Sequence, residues 1–263
     1  MLKIGTSGYD YLDWKEVFYP AEIDRDAFFE YYTSHFSTVE LNFSYYRMPT
    51  SKQLKSLVQR SGPGFDFSIK AHNSLTHNVN RHEWKISVKN YMESVSVLAG
   101  ADKLSAVLLQ FPYSFHYTPE NRRYLDELTR EMNSMPLVVE FRNAEWINKR
   151  VFDALRNRNT GFCCVDTPRL KGLPQPLDIV TSKTGYVRFH GRNEKCWWGS
   201  DAAARFDYKY SEDELRPWID RIAEMLKSVE QMRIFFNNHR RGQAVADAMA
   251  LRKLVEKELT REK

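Results

Sequence analysis

The sequence predicts an α/β fold in which eight parallel strands close into a barrel surrounded by helices. Short apolar runs rich in Val, Ile, Leu and Phe recur along nearly all of the 263 residues, and stretches with helical spacing separate them. Buried parallel strands have this continuous apolar character, without a regular alternation of apolar and polar residues. Eight such units favour a closed barrel over an open doubly wound sheet, and a barrel of ~250 residues accounts for 1–263 as a single domain.

The elements follow from the sequence in order. The eight predicted strands are Leu2–Gly5, Thr38–Phe43, Phe65–Lys70, Ala106–Phe111, Leu137–Phe141, Phe162–Val165, Tyr186–His190 and Arg233–Phe236. The predicted helices between and after them are Asp24–Phe36, Ser51–Arg60, Trp84–Leu98, Pro119–Met132, Lys149–Asn157, Glu212–Lys227 and Ala244–Leu259. The link between the sixth and seventh strands is the only one without a clear helical pattern.

Capping residues support these boundaries. Thr118 before Pro119 places a hydroxyl at the N-cap and a proline in the first turn, where its missing N–H costs nothing. Ser211 and Glu214 form a capping box before the next apolar positions. The irregular stretch Asn193–Tyr210 is the longest in the chain, which makes it a candidate lid or binding loop.

Composition limits the class of protein. The 39 Lys and Arg exceed the 34 Asp and Glu by only five, so nucleic acid is permitted as a partner but not implied. Adjacent Cys163 and Cys164 would point to opposite faces of a strand, which argues against a disulfide framework and favours the cytoplasm. The N-terminus lacks the apolar region of a signal peptide, and no run approaches the ~20 apolar residues of a membrane span. We therefore expect no membrane association.

Polar residues follow or end most of the predicted strands. In a parallel barrel all C-terminal strand ends open onto one mouth, so residues far apart in the chain converge there. Residues two apart on a strand share a face, as Glu140 and Arg142 do. The residues predicted to meet at the mouth are Glu40, Asn42, Lys70, Glu140, Arg142, Asp166, Arg188, His190 and Asn237.

The charges of this set allow three interpretations. The three carboxylates of the set could neutralise its three lysine and arginine side chains in a purely structural network. Alternatively, Lys70, Arg142 and Arg188 hold a phosphate or carboxylate. A third interpretation takes Glu140, Asp166 and His190, with Glu40, as ligands of Mg²⁺ or Mn²⁺, although the neighbouring arginines would repel a cation. The sequence alone does not decide whether a metal cofactor is bound.

A series of short motifs runs in order along the chain. Its members are Ile4–Tyr9, Phe18–Pro20, Val39–Asn42, Tyr46–Pro49, Phe67–Lys70, Thr76–His77, Gln110–Pro112, Val139–Arg142, Val187–Arg192 and Phe236–Asn238. This ordered series resembles that of the YecE-like family, also called domain of unknown function 72. The resemblance covers nearly the whole chain and implies a distorted eight-stranded barrel of TIM type with a polar cavity at the strand C-termini. It implies no established reaction. Tyr9 departs from the tryptophan expected in the family's Gly-Trp pair.

The leading functional hypothesis is an enzyme acting on a phosphorylated small molecule, with phosphoester hydrolysis as the preferred reaction. Glu140 or Asp166 would serve as base or metal ligand, and His190 would shuttle a proton. The alternative is a non-catalytic module that binds nucleic acid or a phosphorylated metabolite, with Trp146, Trp197 and Trp198 as stacking surfaces. Because the charge excess is small, nucleic-acid binding is expected to be weak.

Overall fold

The computed structural model describes residues 1–261 and shows eight parallel strands in a nearly closed barrel. The strands are β1 Leu2–Thr6, β2 Thr38–Leu41, β3 Asp66–Lys70, β4 Leu104–Phe111, β5 Leu137–Phe141, β6 Gly161–Asp166, β7 Thr184–Phe189 and β8 Gln231–Phe236. Each pairs in parallel with its neighbour in the order β1-β8-β7-β6-β5-β4-β3-β2. The predicted barrel is therefore confirmed.

Helices cover the outside of the strands. They are α1 Phe28–His35, α2 Phe43–Tyr46, α3 Ser51–Arg60, α4 Trp84–Gly100, α5 Pro119–Glu131, α6 Lys149–Asn157, α7 Ala202–Arg205, α8 Glu212–Leu226 and α9 Gln243–Arg261. The chain between β6 and β7 contains no helix, as predicted. In the part of the chain that the structure describes, no helix combines the length and the apolar character needed to cross a bilayer.

The barrel closes at a seam between β1 and β2 that has little regular pairing. A single parallel bridge joins Ser7 to Glu40. Below it, the Tyr32 hydroxyl of α1 accepts a hydrogen bond from the Thr6 backbone N–H at 3.0 Å and donates to the Thr38 carbonyl at 3.1 Å. A Cβ atom on Gly5 would lie 2.5 Å from that carbonyl oxygen, so the close approach of the two strands requires glycine.

The barrel interior is filled below the mouth. Its apolar part consists of Ala106, Leu108, Val138, Cys163, Val165, Tyr186 and Phe235. At the N-terminal strand ends, Asp66 pairs with Arg233 and Lys3 at 2.7 and 2.6 Å. The interior is thus a packed core. Space for a ligand remains at the C-terminal ends.

Candidate functional site

A cavity of about 650 Å³ lies at the C-terminal ends of the strands. Its wall is formed by the strand ends, by the loops that follow them and by the irregular segment before α8. Its lining includes four cations, three amides, two histidines and a group of aromatic rings. These residues are Lys70, Arg142, Arg188, Arg205, Asn42, Gln110, Asn237, His77, His239, Tyr11, Tyr45, Tyr46, Tyr113, Trp197, Trp198 and Phe206, with Pro112 and Leu173.

The charged groups that reach this cavity all carry the same sign. Within the described chain, the lining contains four lysine and arginine side chains and no aspartate or glutamate. The mouth nevertheless has two glutamates, Glu40 and Glu140, and both are completely buried behind the arginines. The site therefore presents its positive charges to a ligand and keeps its negative charges covered.

Arg188 is the centre of the buried network. Its side chain is 1% exposed, with Nη1 2.7 Å from Glu140 Oε2 and Nη2 2.7 Å from Glu40 Oε1. Glu40 also accepts hydrogen bonds from the Ser7 and Tyr186 hydroxyls, each at 2.7 Å. The Arg188 guanidinium thus pairs with both carboxylates, and Arg142, which also pairs with Glu140, supplies the second positive charge that balances them.

Glu140 has further partners in Arg142, His190 and the Cys163 thiol, whose Sγ lies 3.7 Å from Oε2. Arg142 Nε donates to Glu140 Oε1 at 2.5 Å, and His190 Nε2 lies 3.1 Å from the same oxygen. Burial raises the pKa of Glu140, whereas the Arg188 and Arg142 charges lower it. The charges outweigh burial, so the pKa of Glu140 lies well below its usual value. Glu140 is consequently ionised at neutral pH and has no free oxygen directed at the cavity.

The contacts of His190 identify it as a neutral imidazole. Burial, together with the nearby Arg142 charge, lowers the pKa of His190 to about 3. Its Nδ1 lies 3.3 Å from Arg142 Nη2 and 3.2 Å from the Asn237 amide nitrogen. Both neighbours are donors, so Nδ1 accepts and Nε2 carries the proton that it donates to Glu140. His190 does not line the cavity, and it orients Arg142 and Asn237, which do.

Lys70 lies on the cavity wall without an acidic partner among the described residues. Its Nζ donates to Gln110 Oε1 at 2.7 Å and stands 4.1 Å from the centroid of the Tyr45 ring. Burial and the Arg188 and Arg142 charges lower the pKa of Lys70, the nearby Glu140 and Glu40 charges raise it, and together they bring it to about 7. The amine is therefore neutral in a large fraction of molecules at neutral pH.

Asp166 was predicted at the mouth, and that placement is wrong. Cys163 and Val165 of β6 face the barrel interior, so Asp166 faces outward towards α8. There the Arg192 guanidinium donates to its two oxygens at 2.7 and 2.6 Å, and Trp218 Nε1 donates at 2.7 Å. Since Asp166 does not meet Glu140, the carboxylate set considered for a metal is not assembled. The described residues contain no group of three His, Cys, Asp or Glu placed to hold a metal ion.

Trp146 was predicted to bind substrate, and its position is also corrected. Its ring is buried between Phe115 and Phe141, with centroids at 5.0 and 4.5 Å, and its Nε1 donates to the Phe115 carbonyl at 2.6 Å. It belongs to the core outside the strands. Trp197 and Trp198, which come from the irregular segment, do line the cavity.

Several cavity residues were not predicted. Gln110 lies two positions after the inward-facing Leu108 on β4, so strand alternation could have found it. His77 was noted only as a member of one of the motifs. Arg205 belongs to the short helix α7 in the irregular segment, where no sequence period indicates which side chains turn inward.

Fold and mouth together define a TIM-type barrel protein with an aromatic, cation-lined cavity at the strand C-termini. The chain belongs to the family described as protein of unknown function DUF72, whose sequence profile matches residues 3–263. It is 27% identical to the UPF0759 protein YunF of Bacillus subtilis, over 97% of this chain and 95% of that protein. These matches confirm the resemblance seen in the sequence.

Solved structures agree with this assignment. A DUF72 family protein from Thermotoga maritima superposes with a TM-score of 0.91 at 36% identity, covering 97% of this chain and 99% of the other. A DUF72 family protein from Enterococcus faecalis gives 0.85 at 24% identity, covering 97% and 96%. D-psicose 3-epimerase from Clostridium cellulolyticum gives 0.55 at 10% identity over 98% and 97% of the chains, a likeness of fold alone.

Proposed function

We propose that the mouth binds a phosphorylated small molecule and that the protein is an enzyme acting on it. The observation that carries the proposal is the lining of the cavity, where the described charged side chains are Lys70, Arg142, Arg188 and Arg205. Guanidinium groups suit phosphate oxygens because their N–H donors match two oxygens at once. The aromatic walls would contact the remainder of the ligand.

The four cations are not equally available. Arg142 and Arg188 already pair with Glu140 and Glu40. Lys70 and Arg205 form no ion pair with any residue described, and Arg205 only stacks on Trp197, 6.0 Å from the ring centroid. The uncompensated charge therefore comes from Arg205, and from Lys70 in the molecules in which its amine is protonated. These are the groups expected to respond most to an anion.

The reaction to test first is hydrolysis of a phosphate ester. Glu140, Asp166 and His190, which the sequence suggested for proton transfer, do not reach the cavity surface. Lys70 does reach it, and a pKa of about 7 suits a general base at neutral pH. It would take the proton of the attacking water. Any Mg²⁺ or Mn²⁺ would depend on oxygens of the ligand phosphate, because the described lining offers no carboxylate.

A panel of phosphoesters, assayed with and without Mg²⁺ or Mn²⁺, tests activity, and quenching of Trp197 and Trp198 fluorescence tests binding. We expect Arg205→Ala to weaken binding roughly tenfold or more, since a hydrogen bond to a charged group contributes about 1.5–3 kcal/mol. Arg216→Ala is the matched control, because Arg216 pairs with Glu212 on the exposed face of α8. Unchanged affinity in Arg205→Ala would contradict the proposed site.

Arg188 is a poorer probe than Arg205. Removing its side chain would leave Glu40 and Glu140 buried without their shared cation, and breaking a buried pair costs about 3–5 kcal/mol. A loss of binding in Arg188→Ala would therefore not separate ligand recognition from unfolding.

One observation favours a second function, a binding module without catalysis. Both mouth glutamates are paired and hidden from the cavity, which leaves no carboxylate among the described lining residues to act as acid or base. Tight binding of phosphorylated compounds without turnover of any, with or without metal, would support this second function over the first.

A further inference from the structure

We propose that Lys70 is a nucleophile whose amine condenses with the carbonyl carbon of a phosphorylated aldehyde or ketone, forming a Schiff base at the mouth. The inference rests on the proposed function and deepens it by naming the substrate class. It changes the role of Lys70 from taking a proton from water to forming a covalent bond with the ligand.

The position of Lys70 supports this role. It ends β3, and among the residues described it is the one lysine that lines the cavity. Its Nζ has one hydrogen bond, to Gln110 Oε1. In a neutral amine this bond uses an N–H group and leaves the lone pair uncommitted. The contact with the Tyr45 ring fixes the direction of the long side chain.

The charges around Lys70 favour the reactive form of the amine. Burial disfavours a positive charge on Lys70 most, and the Arg188 and Arg142 charges add to this effect and outweigh the Glu140 and Glu40 charges, which oppose it. A lysine becomes a nucleophile when it is desolvated or lies beside another cation, because only the neutral amine has a free lone pair. Ordinary surface lysines are neutral in fewer than about one molecule in a thousand at pH 7. The structure therefore distinguishes Lys70 from the exposed lysines of the chain.

The cavity also supplies an anchor and a proton-transfer group. Arg205 can hold the phosphate while the carbonyl end reaches Lys70, since both line one cavity. His77 lines it too, with its ring 4.8 Å from Tyr45 and its Nδ1 2.9 Å from Thr76 Oγ1. Its other nitrogen makes no hydrogen bond with the described residues, and the imidazole is neutral because burial lowers the pKa of His77 to about 4.

The step is balanced without an oxidant or reductant. The lone pair of Lys70 Nζ forms a C–N bond as the carbonyl π electrons move to oxygen. A proton passes from nitrogen to that oxygen and gives a carbinolamine. Protonation of its hydroxyl then allows loss of water as the nitrogen lone pair forms the C=N bond, which gives an iminium ion. Loss of the iminium N–H proton returns the proton that was added to the hydroxyl, and His77, which lines the same cavity, is the group proposed to relay these protons. Amine and carbonyl become imine and water.

The test is reductive trapping on the intact protein. Dihydroxyacetone phosphate is the probe, sodium borohydride supplies the hydride that reduces the imine, and mass spectrometry of peptides locates the adduct. Dihydroxyacetone, which lacks the phosphate, is the matched control ligand. Lys70→Arg keeps a cation but removes the amine, and Lys52→Arg changes an exposed lysine near the mouth.

We expect one adduct, on Lys70, formed at least about tenfold faster with the phosphorylated probe because the phosphate positions the carbonyl. It should disappear in Lys70→Arg and persist in Lys52→Arg. An adduct spread over surface lysines and unchanged in Lys70→Arg would overturn the proposal. If the probe quenches tryptophan fluorescence but nothing is trapped, the Schiff base is refuted while the proposed phosphate site stands. If the phosphorylated probes neither bind nor react, both proposals fail.

Discussion

At the scale of single residues, Lys70 should make anion affinity depend on pH. Burial and the neighbouring charges lower the pKa of Lys70 to about 7 in the free protein, and an anion such as sulfate in direct contact with the amine would raise it. Below the free pKa both states are protonated, so affinity is constant. Between the free and the bound pKa, binding takes up a proton, and affinity falls by up to about tenfold per pH unit. Above the bound pKa it is constant again at a lower level.

Calorimetry with sulfate measures this dependence, because sulfate does not titrate from about pH 6 to about pH 9. Buffers with different ionisation enthalpies report the proton taken up. In Lys70→Met the fall in affinity and the proton uptake should both disappear. The same pH profile in the variant and the natural sequence would show that another group controls binding.

The site residues show what single positions in a sequence can reveal. Strand ends and alternation correctly brought Lys70, Arg142 and Arg188 to one cavity, with Glu140 directly behind them. The same reasoning failed for Asp166, because β6 is apolar on both faces and its sequence does not show which face turns inward. An error of one residue moves a side chain to the opposite face. The sequence also did not show which charged side chains pair with each other, and this pairing decides which charges remain available to bind a ligand.

At the scale of elements, α1 holds the weakest seam of the barrel through Tyr32. We expect Tyr32→Phe to lower the free energy of unfolding by about 1–3 kcal/mol, because a buried backbone donor and acceptor would lose their partner. These groups are the Thr6 N–H and the Thr38 carbonyl. Urea denaturation measures the change.

Tyr31→Phe on the same helix is the matched control. The Tyr31 hydroxyl makes no hydrogen bond with the described part of the chain, so its removal should change stability by less than about 0.5 kcal/mol. Equal effects in the two variants would show that the Tyr32 hydroxyl does not join β1 to β2.

Most helices and strands could be predicted from the sequence because the capping residues and local apolar pattern favour the same structure as the tertiary packing does. Thr118 and Ser211 cap α5 and α8 as the sequence indicated, and α3 and α6 have their predicted bounds. The four-residue helices α2 and α7 were missed, since a single turn is too short to show a period. The first of them also explains why β2 ends at Leu41, before the predicted Phe43.

At the scale of the whole molecule, the distribution of charge argues for a small ligand over a polymer. Exposed charges on the helices pair with each other, as Lys149 does with Asp153 and Arg216 with Glu212. The groove between α5 and α6 is lined by Arg122, Arg123, Arg150 and Arg158, of which Arg158 pairs with Asp126. The uncompensated cations identified at the mouth are few and lie inside one cavity.

A surface that follows a nucleic-acid backbone needs cations spread along a groove, because each neutralised phosphate steepens the fall of affinity with salt. With Lys70 and Arg205 as the main unpaired cations of the mouth, we expect a slope of log affinity against log salt that reports no more than about three phosphates. Binding should be weak, with a dissociation constant of about 10⁻⁶ M or higher at physiological salt. Fluorescence anisotropy with single- and double-stranded oligonucleotides at several salt concentrations measures both quantities.

Submicromolar binding, with a slope that reports about six or more phosphates, would make nucleic acid the preferred partner in place of a small molecule. Arg205→Ala and Arg150→Ala would then show whether the polymer lies at the mouth or in the groove between α5 and α6.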